Sequence, residues 1–513
     1  MADAKITRAN ALDRLIAWVS PQAAMRRASA RAVLAHYEGA STSTQRSKRL
    51  RNEAPNDIAA RGATPLRAIA RDLERNHDIF RGALRVLVNS TIGPNGIGVE
   101  PQPRRRDGTI HTEYAALLSD AWRHHCKRPE VTRRYSDSLM QRLLAYTWFR
   151  DGEVFAQQLY GEVPYLRHGS PVPYSLELFE PDFVPMDYND PARGITQGIQ
   201  TNAWGQPVAF HLYKTDPRSS GYGFAVPANL KTLPAERVLH IATLDRLHQL
   251  RGVSEFASVL DRISDLKEYE ESERIAAKVA ASLTGYVKRT NPDGFNPADV
   301  ERNERGEAMP RDVHLQPGVI IDNLLVGEEI GLIDSNRPNP NLIGWRAGQL
   351  KAIAAGIGAG YSSIARSYDG TYSAQRQELV EQWVHYAVLA DEFTSMFVQP
   401  HYERFVEVAH LSGVVPRPTD VSAQSADDAL YLAQSMPWID PLKEVQAWEK
   451  RTQAGFASEV QAIRAAGGNP RDVLQQISEW RAQVAALNLR FSSDAATPAG
   501  QAQPQQEPQK AIE

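Results

Sequence analysis

Apolar positions recur along this chain with helical spacing in several long stretches, and between two of these with the short runs typical of strands. Leu379, Trp383, Tyr386, Ala390, Phe393 and Phe397 follow one another at intervals of three or four, the seam of a helix packed along other helices. A helix over residues 341–358 precedes it. The break between them, Gly358 through Ser373, holds glycines, serines, tyrosines, Arg366 and Asp369. It predicts a mobile polar loop whose side chains are available to touch something.

Earlier in the chain, Thr64 and Pro65 are the residue types of a helix N-cap and first helical position. Leu66, Ile69 and Leu73 would then line the buried face, with Phe80, Leu84 and Leu87 continuing after Asn76. Ser254 opens a long helix to about Ser282, with Phe256, Leu260, Ile263, Leu266, Ile275 and Val279 in one band. Lys267–Glu271 and Glu270–Arg274 would support it as pairs one turn apart, and Gly285 would stop it.

Between these helices the runs FAQQLYGEV, YSLELFEP, GITQGIQTNA, GQPVAFHLYK and RVLHIA predict strands, with Asn202-Ala203-Trp204-Gly205 as a hairpin turn. Helices followed by antiparallel strands make residues 61–253 an α+β domain. Residues 286–340 form an irregular insert with VHLQPGVIIDNLLVGEEIGLID as its strand-like part, so two long helices carry a small β-rich tip. After Pro400 the chain stays helical to near Gly413. A linker, a smaller helical segment from Pro441 to Gln483, and a tail from Ser492 to Glu513 expected to be disordered complete it.

Composition narrows the class without assigning a task. With 513 residues, 42% hydrophobic and 23% charged, the chain is long enough for about three domains with real cores. No apolar run approaches the roughly 20 residues that span a bilayer, and the first residues carry acids, so a cytoplasmic protein is the expectation. The single cysteine, Cys126, cannot form an internal disulfide, in keeping with a reducing compartment. A net charge of −3 is unlike that of a tight nucleic-acid binder. Locally, residues 24–53 carry seven basic side chains against Glu38 and Glu53, a basic arm.

No reaction is visible in the sequence. Gly93, Gly96 and Gly98 lack the Gly-Lys-Ser/Thr that completes a phosphate loop and predict a turn into a strand. Arg104, Arg105 and Arg106 read as a solvated cluster. His124, His125 and Cys126 are adjacent on a helix and so point to different faces, unable to share one metal. Glu180 and Asp182 form a carboxylate pair, but without an accompanying base, nucleophile or metal motif they read as turn and capping residues. No cofactor, metal or catalytic residue is expected.

Several short segments, in order, carry a likeness. They are Ala70-Arg71-Asp72-Leu73, Trp148-Phe149-Arg150-Asp151-Gly152-Glu153-Val154-Phe155, Leu178-Phe179-Glu180-Pro181-Asp182 and Asn202-Ala203-Trp204-Gly205-Gln206-Pro207-Val208-Ala209. Arg251-Gly252-Val253-Ser254, Ile353-Ala354-Ala355-Gly356-Ile357-Gly358, Tyr372-Ser373-Ala374-Gln375-Arg376 and Pro437-Trp438-Ile439-Asp440-Pro441 follow. Together they resemble the lambda family of tailed-phage portal proteins over roughly residues 20–485.

The resemblance implies an α+β portal fold: a basic arm over 1–60, a wing over 61–253, stem helices over 254–285 and 341–358, and a clip over 286–340. A tunnel loop over 359–372, a long helix over 373–413, a helical crown over 414–490 and a disordered tail over 491–513 complete the expected plan. It also implies a homo-oligomeric ring of about a dozen copies at one capsid vertex, closed by head-to-tail contacts. Double-stranded DNA would pass through the hole, and terminase, the major capsid protein and head-completion or adaptor proteins would be its partners, in the virion and, during assembly, the host cytoplasm. A wall that guides a polyanion at speed needs few cations, because each phosphate neutralised adds affinity. Arg366, Tyr368, Tyr372 and Lys351 are the candidates to face DNA, and Glu328 and Glu329 the candidates for terminase or adaptor contact. A packaging nuclease or ATPase, or a helical scaffold that never closes a ring, are the alternatives.

Overall fold

The computed structural model describes residues 53–218, 227–282, 286–289, 328–331, 339, 341–436 and 440–487, with a few positions between 16 and 26. Most of the basic arm and of the 286–340 insert, and the whole of the tail, lie outside the described residues.

The chain from Pro55 onward opens with α1 (Pro55–Asn76) and α2 (Asp78–Thr91). Contrary to the expected N-cap at Thr64 and first helical residue at Pro65, α1 begins ten residues earlier with Pro55 at its first position, and Pro65 lies inside it. The buried face is made of Ala59, Ala63, Arg67, Ala70 and Leu73, while Leu66 is only half-buried and Ile69 is exposed. Small residues and an arginine hold that face, so a search for large apolar residues starts the helix too late.

After the turn at Gly93 and Gly96, both with positive φ, comes β1 (Gly98–Pro101), as expected from the glycine spacing. Next are α3 (Thr112–His125) and α4 (Asp137–Asp151), then the strands β2 (Glu153–Tyr160), β3 (Tyr174–Phe179), β4 (Ile195–Thr196), β5 (Ile199–Thr201), β6 (Pro207–Tyr213), β7 (Leu230–Pro234) and β8 (Val238–Ala242). All pair antiparallel, in a three-stranded sheet of order β3-β2-β8 and a four-stranded sheet of order β4-β5-β6-β7. The hairpin turn joins β5 to β6 with Gly205 donating to the Asn202 carbonyl. Along β2 the alternation is direct: Val154 and Ala156 face the helical core, and Phe155 faces a second core with Phe179, Ile199, Phe210 and Leu212.

The next long helix, α5, spans Leu260–Ser282, so Ser254 precedes it by six residues, in a run of turns. Phe256, Leu260, Ile263 and Leu266 are buried as expected, but Ile275 is exposed. The short strands β9 (Tyr286–Arg289) and β10 (Glu328–Gly331) pair antiparallel. Then α6 (Leu342–Gly356) runs back along α5: Arg262 donates to Gln349 at 2.7 Å, Tyr269 packs on Trp345 and Arg346 meets Glu270 at 2.6 Å. Glu270 thus pairs across the two helices.

A short helix, α7 (Tyr361–Ala365), leads to α8 (Tyr372–Phe393), a π-helical turn (Thr394–Val398) and α9 (Gln399–Leu411). The predicted seam is real: Tyr386, Ala390, Phe393 and Phe397 are buried and Leu379 and Trp383 half-buried. The wider π turn ends two residues before Pro400, which has no N–H to give the helix. Beyond it Tyr402, Phe405 and His401 pack on Trp122, with ring centroids 5.0 to 5.3 Å apart. Directly after the expected linker, VVPRPTDVSAQSADD, comes β11 (Ala429–Leu432), a strand not expected from the sequence, which pairs with β1. Helices α10 (Pro441–Gln453), α11 (Glu459–Ala465) and α12 (Pro470–Ala486) bury no residue in the single chain.

Candidate functional site

Two polar centres stand out, and they differ in kind. The first is a charged network under the sheet. Helix α4 ends at Gly152, whose φ of 91° and close approach to the Val253 backbone leave no room for a side chain. The chain therefore turns directly into β2 with Glu153 fully buried. Arg251, also fully buried, meets it at 2.7 Å. Arg67 lies at 3.3 Å and His240 at 3.0 Å, and the Gly252 N–H donates to it at 3.0 Å. Burial opposes ionisation of Glu153, but Arg251 and His240 outweigh it and hold the carboxyl far below its usual range.

Glu180 and Asp182 belong to the outer part of this network. Arg71 reaches Asp151 at 2.6 Å and Asp182 at 2.7 Å, and Arg218 reaches Glu180 at 2.7 Å. Burial pushes Asp182 up, yet Arg67 and Arg71 prevail and its pKa is lowered. Each carboxylate is spent on arginines, an arrangement that fixes a turn and offers no free base. His124 and His125 face different ways, His124 exposed and His125 buried. No group of three or more metal-ligating side chains occurs among the described residues.

The second centre is the segment between α6 and α8. Here the expectation of a free loop is corrected. Residues 361–365 are helical, and α8 clamps them: the Glu378 carboxylate accepts from the Ser362 N–H at 3.1 Å and its hydroxyl at 2.7 Å. Gln382 accepts from the Gly360 N–H at 2.8 Å, the Ser363 hydroxyl at 3.3 Å and the Tyr386 hydroxyl at 3.2 Å. Gly358 has φ +65°, and a side chain there would collide with the His385 ring. Glu378 and Gln382 were not singled out from the sequence. Their one legible signal is a spacing of four beside the apolar seam.

Beyond the clamp the chain becomes exposed. Arg366 ends α7 in the left-handed region at φ 53°, and its side chain is exposed. Tyr368 is 58% and Tyr372 54% exposed. The Tyr368 carbonyl accepts from Gln375 at 2.5 Å, and Thr371 caps α8 by accepting from the Ala374 N–H. Lys351, exposed on α6, holds its ammonium 5.3 Å from the centre of the Tyr361 ring. Lys351 thus lies against the first residue of α7, and Arg366, Tyr368 and Tyr372 follow the end of α7. Glu328 and Glu329 lie elsewhere, in β10, in register with Arg289 and Lys288 of β9.

Comparison with known proteins matches residues 41–389 to the family described as "Phage portal protein, lambda family". The chain is 25% identical over 439 residues to the "Probable portal protein" of Halomonas phage phiHAP-1, covering 81% of this chain and 79% of that protein. It is 23% identical over 466 residues to "Portal protein B" of Escherichia phage lambda, covering 82% and 84%. Among solved structures it aligns with a chain from the "Neck of native GTA particle computed with C12 symmetry" at 12% identity and a TM-score of 0.40, over 78% of this chain and 94% of that one.

Proposed function

The chain belongs to the lambda family of phage portal proteins, and from that premise we propose that it is the head-tail connector of a tailed-phage particle. About a dozen copies close into a ring at one capsid vertex. Double-stranded DNA passes through the hole during packaging and ejection, driven by a separate terminase ATPase. The antiparallel pair α5 and α6 serves as the stem, residues 286–340 as the clip, 359–372 as the tunnel loop, 61–253 as the wing and 414–490 as the crown. A structural role of this kind needs no catalytic group.

The observation that supports this assignment of the loop is its construction. Residues 360–363 are clamped to α8 through Glu378 and Gln382, while Arg366, Tyr368 and Tyr372 are exposed just beyond. A short exposed stretch on rigid flanks can touch a passing duplex without being carried along by it. One arginine per copy provides a weak, repeated contact with phosphate, and exposed tyrosine rings slide along the grooves without fixing sequence. Lys351 extends the same surface along the stem. Glu328 and Glu329 would meet terminase or a head-completion protein at the clip.

In a packaging assay with purified proheads and terminase, Arg366→Ala/Tyr368→Ala should still assemble rings but package or retain DNA several-fold less well. Packaging and retention at the level of the parent protein would remove these residues from the channel wall.

A further inference from the structure

A closed ring of identical subunits needs two unlike faces on each copy, because every contact joins one side of a subunit to the other side of the next. Two clefts flank the outer strands of the β3-β2-β8 sheet, and they differ in charge.

Beside β3, the cleft runs between α2, α4 and Tyr135 of the loop at 130–135. Its two carboxylates, Glu74 and Glu180, are held by Arg150 at 2.8 Å and Arg218 at 2.7 Å, which leaves the remaining arginines in excess. Arg81 and Arg85 stand one turn apart on α2, both exposed, and the loop adds exposed Arg134. None of the three forms an ion pair among the described residues. The loop is built to hold its arginine. Glu130 is buried, and its carboxylate accepts from the N–H groups of Thr132 and Arg134 at 2.6 Å and of Tyr135 at 3.2 Å. The backbone is thereby fixed, and the exposed guanidinium lies 5.9 Å from the centre of the Tyr135 ring.

Beside β8, a cleft of about 470 Å³ is lined from α9 and the flanking turns by Glu236, Glu403, Glu407 and Asp427. Of the two arginines there, Arg404 and Arg417, Arg404 pairs with Glu407 at 2.6 Å and donates to the Glu236 carbonyl, which leaves Glu236, Glu403 and Asp427 without an ion pair among the described residues. Carboxylates are crowded enough that burial, then Asp428 and Glu407, push the Asp427 carboxyl up. This side is negative, and the β3 side is positive.

We propose that in the ring the arginine-bearing cleft beside β3 of one copy receives the carboxylate-bearing face beside β8 of the next. The inference rests on the ring proposed above and names its two contacting faces. The partner is a second copy of this chain, because the two surfaces are complementary to each other and each repels itself. Self-repulsion disfavours the two-fold dimer that would compete with the ring, and attraction between unlike faces sets the head-to-tail direction.

The test uses the full-length protein with Arg81→Glu/Arg85→Glu, with Glu236→Lys/Glu407→Lys, and with all four substitutions together. All four side chains are exposed, so the fold should survive, and a thermal melt of each variant checks that it does. Native mass spectrometry at about 100 mM salt reads the fraction of protein in rings. Each charge-reversed pair should lower that fraction about tenfold, and the four-fold variant should restore it. Rings in either pair at the parental level, with the parent also forming rings, would overturn the facing surfaces and leave the ring standing. Folded pairs that fail to assemble, with no recovery in the four-fold variant, would overturn the pairing itself. A parent protein that forms no rings would remove both this inference and the ring.

Discussion

Glu153, fully buried, and Asp137, buried but for a small edge, are carboxyls with opposite electrostatics, and each makes a prediction about stability. Glu153 is held by Arg251, Arg67 and His240, so its pKa is depressed in the folded protein. A depressed carboxyl contributes stability that is complete above its ordinary value near 4.5 and is lost as pH falls toward the folded value. Glu153→Gln leaves two buried guanidiniums short of a charge and should cost about 3–5 kcal/mol at neutral pH in urea unfolding, with the deficit shrinking in acid. Asp137 lies at the start of α4, where Gln141 donates to it at 2.7 Å, yet burial pushes its carboxyl up to about 7. A raised carboxyl does the reverse: its contribution is present below about 3.8 and is lost as pH rises through about 7. Asp137→Asn should therefore stabilise the protein by about 1–2 kcal/mol at pH 8 and have little effect at pH 4, as the same unfolding series would show. Equal effects at both pH values would mean that Asp137 is ionised throughout.

At the scale of elements, the clamp between α7 and α8 is the part whose sequence was most misleading. Its glycines suggested freedom, whereas Gly358 has a positive φ and the His385 ring of α8 stands where a side chain would go, and Gly360 gives its N–H to Gln382. Gly358→Ala should destabilise the fold by about 2 kcal/mol or more and raise amide exchange over residues 360–366, since a positive φ and a collision with His385 act together. Unchanged exchange there would leave the loop as mobile as its composition suggests. The elements legible in the sequence were those with a strong apolar period or a specific turn residue: the α8 seam from Leu379 to Phe397, the turn at Asn202 to Gly205, and the turn through Gly93 and Gly96 into β1. The start of α1 was hidden because its face is alanine and arginine. The strand β11 was hidden because its four residues gain their meaning only from β1, more than three hundred positions away. The charged network was hidden for the same reason. Its members come from α1, α4, β2, β8 and the 251 turn, and no local pattern announces that Arg67 and Arg251 are buried to meet Glu153.

For the whole molecule, the single chain leaves surfaces that a lone subunit has no use for. Val380, Val384 and Val388 form an exposed stripe on α8, and Leu474, Ile477 and Trp480 form another on α12. Valine is a poor helix former, so a stripe of it facing solvent gains nothing unless something covers it. Assembly into a ring would cover such stripes and would also give the two charged clefts their partners. Ring stability should then weaken moderately as salt rises, with the apolar contacts remaining when the charged ones are screened. The most direct test of the central claim is the mass of the purified full-length protein by native mass spectrometry, together with electron-microscopy class averages of the same sample. Rings of about a dozen subunits around an open centre are the expected result. Monomers or dimers at high concentration, with no rings even when capsid protein is present, would contradict it.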